Sequence, residues 1–293
     1  MNISKWIKNN TSSLEGKTVA ISGATGGIGR ELCRYFATLG ASLILLDRNI
    51  KRSMALADKL REKFPSLSVS HIRVDMADMQ TVKSAVAGLS DMPIDILILN
   101  AGAYSIPRYI CDTCYDNVFQ INFVSPYYIA RKLLPGIRSR GGKVVAVGSI
   151  AHNYSRADIN DVDFSTRTKA SLVYGNAKRY LIFSMYKLAQ SSKDIAVVHP
   201  GITFTNITAH YPKAIFAIIK HPMKVIFMPP RKAALSIVKG VFTDCQRNEW
   251  IGPALFNVWG KPKLKKLNTC GEEEAKHICR EANIIYERME KYI

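Results

Sequence analysis

The sequence predicts an α/β fold: one domain built on a doubly wound parallel sheet with helices on both faces. Three observations carry this. Short apolar, β-branched runs alternate with stretches of helical spacing along most of the 293 residues. A glycine-rich turn follows the first of these runs. Six predicted strand ends, at Gly23, Asp47, Asp75, Asn100, Ser149 and Pro200, carry polar or special-geometry residues, and in such sheets ligands sit at the carboxyl ends of the strands.

Residues 1–15 read as an N-terminal extension and residues 16–293 as the domain. Thr18 to Ser22 is the first strand. Gly23, Gly26, Gly27 and Gly29 follow, and RELCRYFATL then runs with helical spacing to Gly40, a helix stop. Strand, glycine turn and helix in this order form a phosphate cradle, because glycines let backbone N–H groups approach a pyrophosphate whose charge the helix N-terminus favours. The second strand is Ser42 to Leu46, ending at Asp47-Arg48-Asn49, and MALADKLREKF is a helix closed by Pro65. Val69 to Val74 is the third strand, and Thr81 to Leu89 a helix. Ile94 to Leu99 is the fourth strand, running into Asn100-Ala101-Gly102. A long helical tract covers about 112 to 138, with Asn122 inside it. Lys143 to Val147, the helix Leu172 to Gln190 and the strand Ile195 to His199 complete the alternation, which no internal repeat interrupts.

Composition narrows the function classes. A hydrophobic content of 47% suits a globular enzyme with a full core and argues against wholesale disorder. Six scattered cysteines are too sparse for a disulfide scaffold and fit a reducing cytoplasm. Cys111-Asp-Thr-Cys114 is the single CxxC and lacks a second pair or nearby histidine for zinc, so no metal site is expected. No stretch approaches the roughly 20 apolar residues of a membrane span, and the N-terminus lacks a signal-peptide core. The net charge of +18 favours anionic cofactors or membrane surfaces. Nucleic acid is the weaker reading, since no arginine-rich arm, zinc finger or aromatic RNA-binding signature accompanies the charge.

Tyr174 and Lys178 lie four apart on a predicted helix and share a face. A phenol titrates near ~10, and an ammonium beside it is expected to favour the phenolate and lower that value. Tyr128 and Lys132 satisfy the same spacing. Order separates the pairs: Tyr174 follows the strand that ends at Ser149, whereas Tyr128 precedes it, in a helix better explained by packing or a subunit interface.

These residues together resemble the short-chain dehydrogenase/reductase family. Ser22-Gly23-Ala24-Thr25-Gly26-Gly27-Ile28-Gly29 is similar to its TGxxxGIG turn, with serine for the leading threonine. Asn100-Ala101-Gly102 matches its NAG motif, and Asn122, Ser149, Tyr174 and Lys178 match its catalytic tetrad. His199-Pro200-Gly201 with Thr205 matches the segment after the sixth strand. The resemblance spans about residues 15 to 206 and implies a Rossmann fold. It also implies hydride transfer between a nicotinamide cofactor and an alcohol or carbonyl. It gives Tyr174 the role of general acid/base, and Lys178 that of lowering the tyrosine pKa and binding the nicotinamide ribose. Ser149 would hold the substrate oxygen, and Asn122 would anchor a relay water. Gly23, Thr25, Gly26, Gly27, Ile28, Gly29, Asp47, Arg48, Asp75, Met76, Asn100, Ala101, Gly102, Tyr174, Lys178, Pro200, Ile202 and Thr205 would contact the cofactor, with Asp75-Met76 reaching the adenine.

Cofactor choice turns on Asp47, whose carboxylate would accept the ribose hydroxyls of NAD and repel a 2′-phosphate, so NAD is favoured. Arg48 sits where NADP-preferring relatives carry a phosphate-binding arginine, which keeps NADP open. Twenty-four residues separate Ser149 from Tyr174, more than is common in the family. This interval and EWIGPALFNVWGKPKLKKL resemble the retinol-dehydrogenase-like branch and imply a bulky apolar alcohol or carbonyl: a retinoid, steroid or other lipid. Ile195 to Thr243 contains no carboxylate, and residues 206–243 are expected to form an apolar helical lid over the substrate. Resting on anionic lipid, or packing with lysines turned to water, are the other readings of that segment. Residues 249–293 read as a C-terminal extension. The resemblance implies a homodimer or homotetramer through the helices around 112–138 and 172–190. A non-catalytic nucleotide-sensing scaffold is the alternative from another functional class.

Overall fold

Strand β1 (Thr18–Ser22) sits inside the sheet, paired in parallel with β2 (Ser42–Asp47) on one side and β4 (Ile96–Leu99) on the other. Both faces are therefore covered, and a continuous apolar run is what such a position demands. The computed structural model describes residues 2–203 and 227–292. Within them the sheet has eight strands in the order β3-β2-β1-β4-β5-β6-β7-β8, where β3 is Val69–Arg73, β5 Lys143–Val147, β6 Ile195–Val198, β7 Glu249–Leu255 and β8 Trp259–Lys266. All neighbours pair in parallel except β7 and β8, an antiparallel hairpin that ends the sheet. The strand order reverses direction at β1 and β4, which opens a crevice beyond their carboxyl ends.

Alternate residues of each strand feed two cores. Val19, Ile21, Leu43, Leu45, Val145 and Val147 face one layer. That layer is made by α1 (Ile3–Asn10), α2 (Gly27–Thr38), α3 (Ile50–Arg61) and α8 (Pro230–Phe242). Ala20, Ile44, Leu46, Leu97, Val144 and Ala146 face the other. There lie α4 (Met79–Ser90), α6 (Ser125–Ser139), α7 (Ala170–Leu188) and α9 (Glu272–Lys291).

Several boundaries differ from the sequence reading for local reasons. Helix α3 begins at Ile50 rather than Met54, because Asn49 Oδ1 accepts the Arg52 N–H at 3.0 Å and caps it there. The tract expected from 112 starts at α5 (Asn117–Phe119), capped by Asp116, whose Oδ1 accepts the Val118 N–H at 2.9 Å. It passes through a π turn, Gln120–Val124, before α6. The preceding residues close a tight turn in which Cys111 is buried and Cys114 exposed.

The expected lid falls largely on residues 204–226, outside the described residues. Its described end, α8, does not stand over the site. Ala233, Ala234, Leu235, Ile237 and Val238 are buried against the sheet beside α2, so this helix is core. Helix α9 lies across α6 and α7, burying Ile278, Ala282, Ile285 and Met289. Arg131 stacks its guanidinium 4.0 Å from the Tyr286 ring and donates to Asn283 Oδ1 at 2.7 Å. The helices expected to join subunits thus carry a helix of their own chain. Tyr128 packs 5.6 Å from Tyr286 and Lys132 pairs with Glu290 at 3.1 Å, which accounts for the second tyrosine–lysine spacing by packing. No helix among the described residues is long and apolar enough to cross a membrane.

Candidate active site

The glycine turn is fixed by close approach. Gly23 has φ +65°, and a Cβ there would lie 3.0 Å from Ala101 Cα. At Gly29 a Cβ would lie 2.2 Å from the Gly23 carbonyl oxygen, so the first turn of α2 can press on the loop only without a side chain. Ser22, the serine in the place of the family's threonine, ties β1 to β4: its Oγ accepts the N–H groups of Asn100 and Ala101, both at 3.0 Å. Asn100 Nδ2 returns bonds to the carbonyls of Ser22 at 3.0 Å and Gly23 at 3.2 Å. The turn 23–29 and the loop 100–102 are therefore one unit, facing the N-terminus of α2.

At the end of β2, Asp47 is buried, with one carboxylate oxygen held by the Thr25 N–H at 3.1 Å and the Thr25 hydroxyl at 2.9 Å. Its other oxygen, Oδ2, is buried, and the Ser53 hydroxyl, which also shares a bond with His71 Nδ1 at 2.9 Å, stabilises the carboxylate. Burial raises the Asp47 pKa, and the Thr25 bonds oppose that rise. Arg48 beside it is mostly exposed, 3.7 Å from Asp75 Oδ2. Asp75 Oδ1 accepts the Ala77 N–H at 3.0 Å, and the Met76 side chain is buried in the core while its carbonyl accepts from Ser125. The cradle, the acceptor at the β2 end and the helix N-terminus suit a dinucleotide.

Two of the tetrad positions, Asn122 and Lys178, meet at Gly102, and Tyr174 links Lys178 to Ser149. A Cβ at Gly102 would lie 2.7 Å from Asn122 Oδ1 and 3.5 Å from Lys178 Nζ. Asn122, in the π turn, donates from Nδ2 to the carbonyls of Ala103 and Val118, both at 2.8 Å. Lys178 is buried on α7 and donates to the Val147 carbonyl at 3.0 Å, with Nζ 5.7 Å from the Tyr174 ring centroid. Ser149 follows β5 and caps the short 3₁₀ helix Ile150–Tyr154, its Oγ accepting the Ala151 N–H at 3.2 Å.

The electrostatics depart from the expectation for Tyr174. Burial pushes its phenol up to about 12; the Ser149 hydroxyl favours the phenolate and Tyr104 opposes it, but Lys178 does not bring the value down. The same burial takes the Lys178 ammonium down to about 8. Desolvation wins over the charge pair because each group alone is costly to ionise in a dry site. Tyr104 packs edge-on to Tyr174 at 5.2 Å, and Val118, Phe164, Val173, Ile106 and Leu172 cluster apolar around it.

Residues the motifs did not reveal hold this geometry. His152 donates from Nδ1 to the Ser149 carbonyl at 2.6 Å and accepts at Nε2 from Thr269 at 2.9 Å. Burial takes it down to about 4, so it is neutral at pH 7. Arg179, next to Lys178, donates to the His152 carbonyl at 3.1 Å. At the β6 end, Gly201 has φ +84° and its N–H donates to His199 Nδ1 at 3.2 Å, while the Ile202 carbonyl accepts from Met228 at 2.8 Å. Pro200 lies between them, and Thr205 lies outside the described residues. No cluster of metal-ligating groups occurs among the described residues.

The family model described as short chain dehydrogenase matches residues 17–214. The chain is similar to human retinol dehydrogenase 12, with 23% identity over 83% of this chain and 82% of that one. It is also similar to a chloroplastic short-chain dehydrogenase, TIC 32 A, of Brassica napus, with 27% identity over 68% of each. Among solved structures, a protein of Mycobacterium paratuberculosis shares the fold over 97% of this chain and 96% of that one, at TM-score 0.69 and 22% identity. A short-chain dehydrogenase from Sphingobium yanoikuyae in complex with NADPH is similar over 66% of this chain and 74% of that one, at TM-score 0.54 and 27% identity. A family match over most of the sheet, with the family's motifs at the expected strand ends, establishes that the chain belongs to the short-chain dehydrogenase/reductase family of NAD(P)-linked oxidoreductases.

Proposed function

We propose that this protein interconverts a bulky apolar alcohol and its ketone or aldehyde, with Tyr174 as the proton-transferring group. The observation that carries the reading is a chain of contacts, with Asn122 and Lys178 at Gly102, Lys178 against the Tyr174 ring and Tyr174 hydrogen-bonded to Ser149. A bound nicotinamide would supply or accept the hydride. The chain's own part is to place a carbonyl oxygen between the Ser149 and Tyr174 hydroxyls and to move a proton at Tyr174 Oη. A tyrosine raised to about 12 holds its proton at pH 7, which suits it to act as the acid in carbonyl reduction. Ser149 is a preorganised donor where charge develops on oxygen, and the His152 bond to its carbonyl holds its backbone. Because the Asn122 side chain is taken up by Ala103 and Val118, a relay water would bind to main-chain carbonyls of the π turn, which leave the regular ladder there.

Residues 23–29, Asp47 and Asn100–Gly102 would hold the dinucleotide, with Asp75 and Met76 near the adenine and Pro200 and Ile202 at the nicotinamide end. NAD is favoured because the Asp47 carboxylate at the end of β2 would accept the ribose hydroxyls and repel a 2′-phosphate. The second reading, an NADPH-linked carbonyl reductase, is favoured by the exposed Arg48 and by the NADPH-bound neighbour. The apolar cluster around Tyr174 and the retinol dehydrogenase relatives support a retinoid, steroid or similar lipid substrate. The test is consumption of NADH and NADPH against a panel of retinoid, steroid and long-chain carbonyls. Turnover of at least one, abolished in Tyr174→Phe, supports the reading, and a panel without turnover despite bound cofactor counts against it.

A further inference from the structure

The β7–β8 hairpin ends in an apolar crown whose tip, Leu255 and Phe256, stands exposed. Phe256 is 94% exposed and Leu255 59%. The crown is held in shape: Lys265 Nζ donates to Asn257 Oδ1 at 2.8 Å and to the Pro253 carbonyl at 2.5 Å, and Val258 N–H closes on the Leu255 carbonyl at 2.9 Å. That shape puts Phe256 at φ +50° and Asn257 at φ +58°. A bulky apolar residue in the left-handed region, turned to water, is unfavourable on both counts. Nothing in the fold of the hairpin requires phenylalanine there, and asparagine or glycine would serve the turn better.

Charge sets the partner. From Trp250 to Gly271 there is no carboxylate, and β8 carries Lys261, Lys263, Lys265 and Lys266. Lys261 and Lys263 are both exposed and, two apart on a strand, lie on one face. An exposed aromatic tip above a band of lysines matches the boundary of an anionic bilayer, where apolar groups enter the acyl region and ammonium groups stay with the headgroups. β7 runs parallel to β6 with Ile251 level with Val198, so the crown projects beyond the carboxyl edge of the sheet by roughly 13 Å at the usual strand rise. Ser149 and the glycine turn open on that same edge. Gly201 beneath lies so close to the hairpin that a Cβ would meet the Val258 carbonyl at 2.8 Å.

We infer that the exposed tip Leu255 and Phe256, with Lys261 and Lys263, docks the protein on an anionic lipid surface, with the carboxyl edge of the sheet facing the membrane. This stands on the hairpin alone and holds whichever substrate the enzyme uses.

The test is co-flotation of the purified protein with vesicles of phosphatidylcholine alone and of phosphatidylcholine with phosphatidylserine, at low and at high salt. The expected result is flotation with the anionic vesicles, weakened by salt. Phe256→Ser should reduce it at least tenfold, and Lys261→Glu and Lys263→Glu about fivefold each or more. All three positions are exposed, and unchanged circular dichroism and nucleotide binding would show the variants folded. Wild-type protein that stays unbound overturns the inference, as does binding unaffected by the crown and lysine variants. A concentration-dependent dimer abolished by Phe256→Ser, without vesicle binding, assigns the crown to a second copy instead and likewise overturns it.

Discussion

Arg179 and Glu274, 95 residues apart in sequence, close a two-bond ion pair at 2.6 and 2.5 Å that fastens α9 to the helix carrying Tyr174 and Lys178. Arg179 is almost wholly buried and also donates to the carbonyls of His152 and Thr269, so this one guanidinium joins the loop after Ser149 to the C-terminal helix. Glu274 adds the Ala157 N–H at 2.9 Å. Removing one partner strands a buried charge, which typically costs about 3–5 kcal/mol. Glu274→Ala should therefore lower the melting temperature by roughly 10 °C in a chain of this size, read by calorimetry.

The same pair predicts an acid limb. Burial alone would raise the Glu274 carboxyl, but the Arg179 hydrogen bonds, the Ala157 N–H and the Arg179 charge outweigh it and hold the carboxyl at about 2. A depressed folded value gives stability that is full above the unfolded value near ~4.5. That stability is lost as pH falls from there through about 2. Urea unfolding across this window should show a steep loss for the wild type and a flatter one for Glu274→Gln.

Tyr174→Phe should leave nucleotide binding within about twofold and lower turnover by at least the ~10²–10⁴-fold that positioned proton transfer supplies. Paired titrations and rates on the two proteins check this. Equal turnover would remove Tyr174 from the chemistry.

If the site reduces carbonyls as proposed, Lys178 is expected to set the alkaline side of the reaction. With its ammonium near 8 and the phenol near 12, the first proton lost as pH rises is the lysine's. The rate constant kcat/KM for reduction should be level below that value and decline above it, and Lys178→Met should remove the inflection along with most of the activity.

Gly102→Ala is a geometric probe. The added methyl would press on Asn122 Oδ1 at 2.7 Å, so the π turn or the loop must shift. A fall in kcat together with weaker nucleotide binding is the expected result, since Gly102 also belongs to the loop proposed to hold the dinucleotide.

Much of this architecture is legible in the chain because local chemistry decides it. Thr18–Ser22 and Lys143–Val147 occur as strands with the bounds their composition predicts, since a strand buried on both faces must be apolar throughout. Gly23 and Gly29 announce a turn that no side chain fits. The rest depends on partners distant in sequence. Arg179 reads as one more surface arginine until Glu274 is placed beside it. His152 carries no motif, and its role follows from Thr269 and the Ser149 carbonyl meeting on either side of its ring. The π turn at Asn122 replaces a regular helix without a sequence mark. The raised Tyr174 value follows from the apolar neighbours packed around its ring, which spacing alone does not reveal. Helix α9 did leave a signal, in the four-three-four spacing of Ile278, Ala282, Ile285 and Met289 behind three glutamates at its start.

The most direct measurement is titration of the wild type and of Asp47→Ala with NADH and NADPH, followed by intrinsic fluorescence. Saturable binding of both by the wild type is expected, with NADH tighter, and a narrowed preference in Asp47→Ala. Failure of the wild type to bind either nucleotide would contradict the proposed cofactor site.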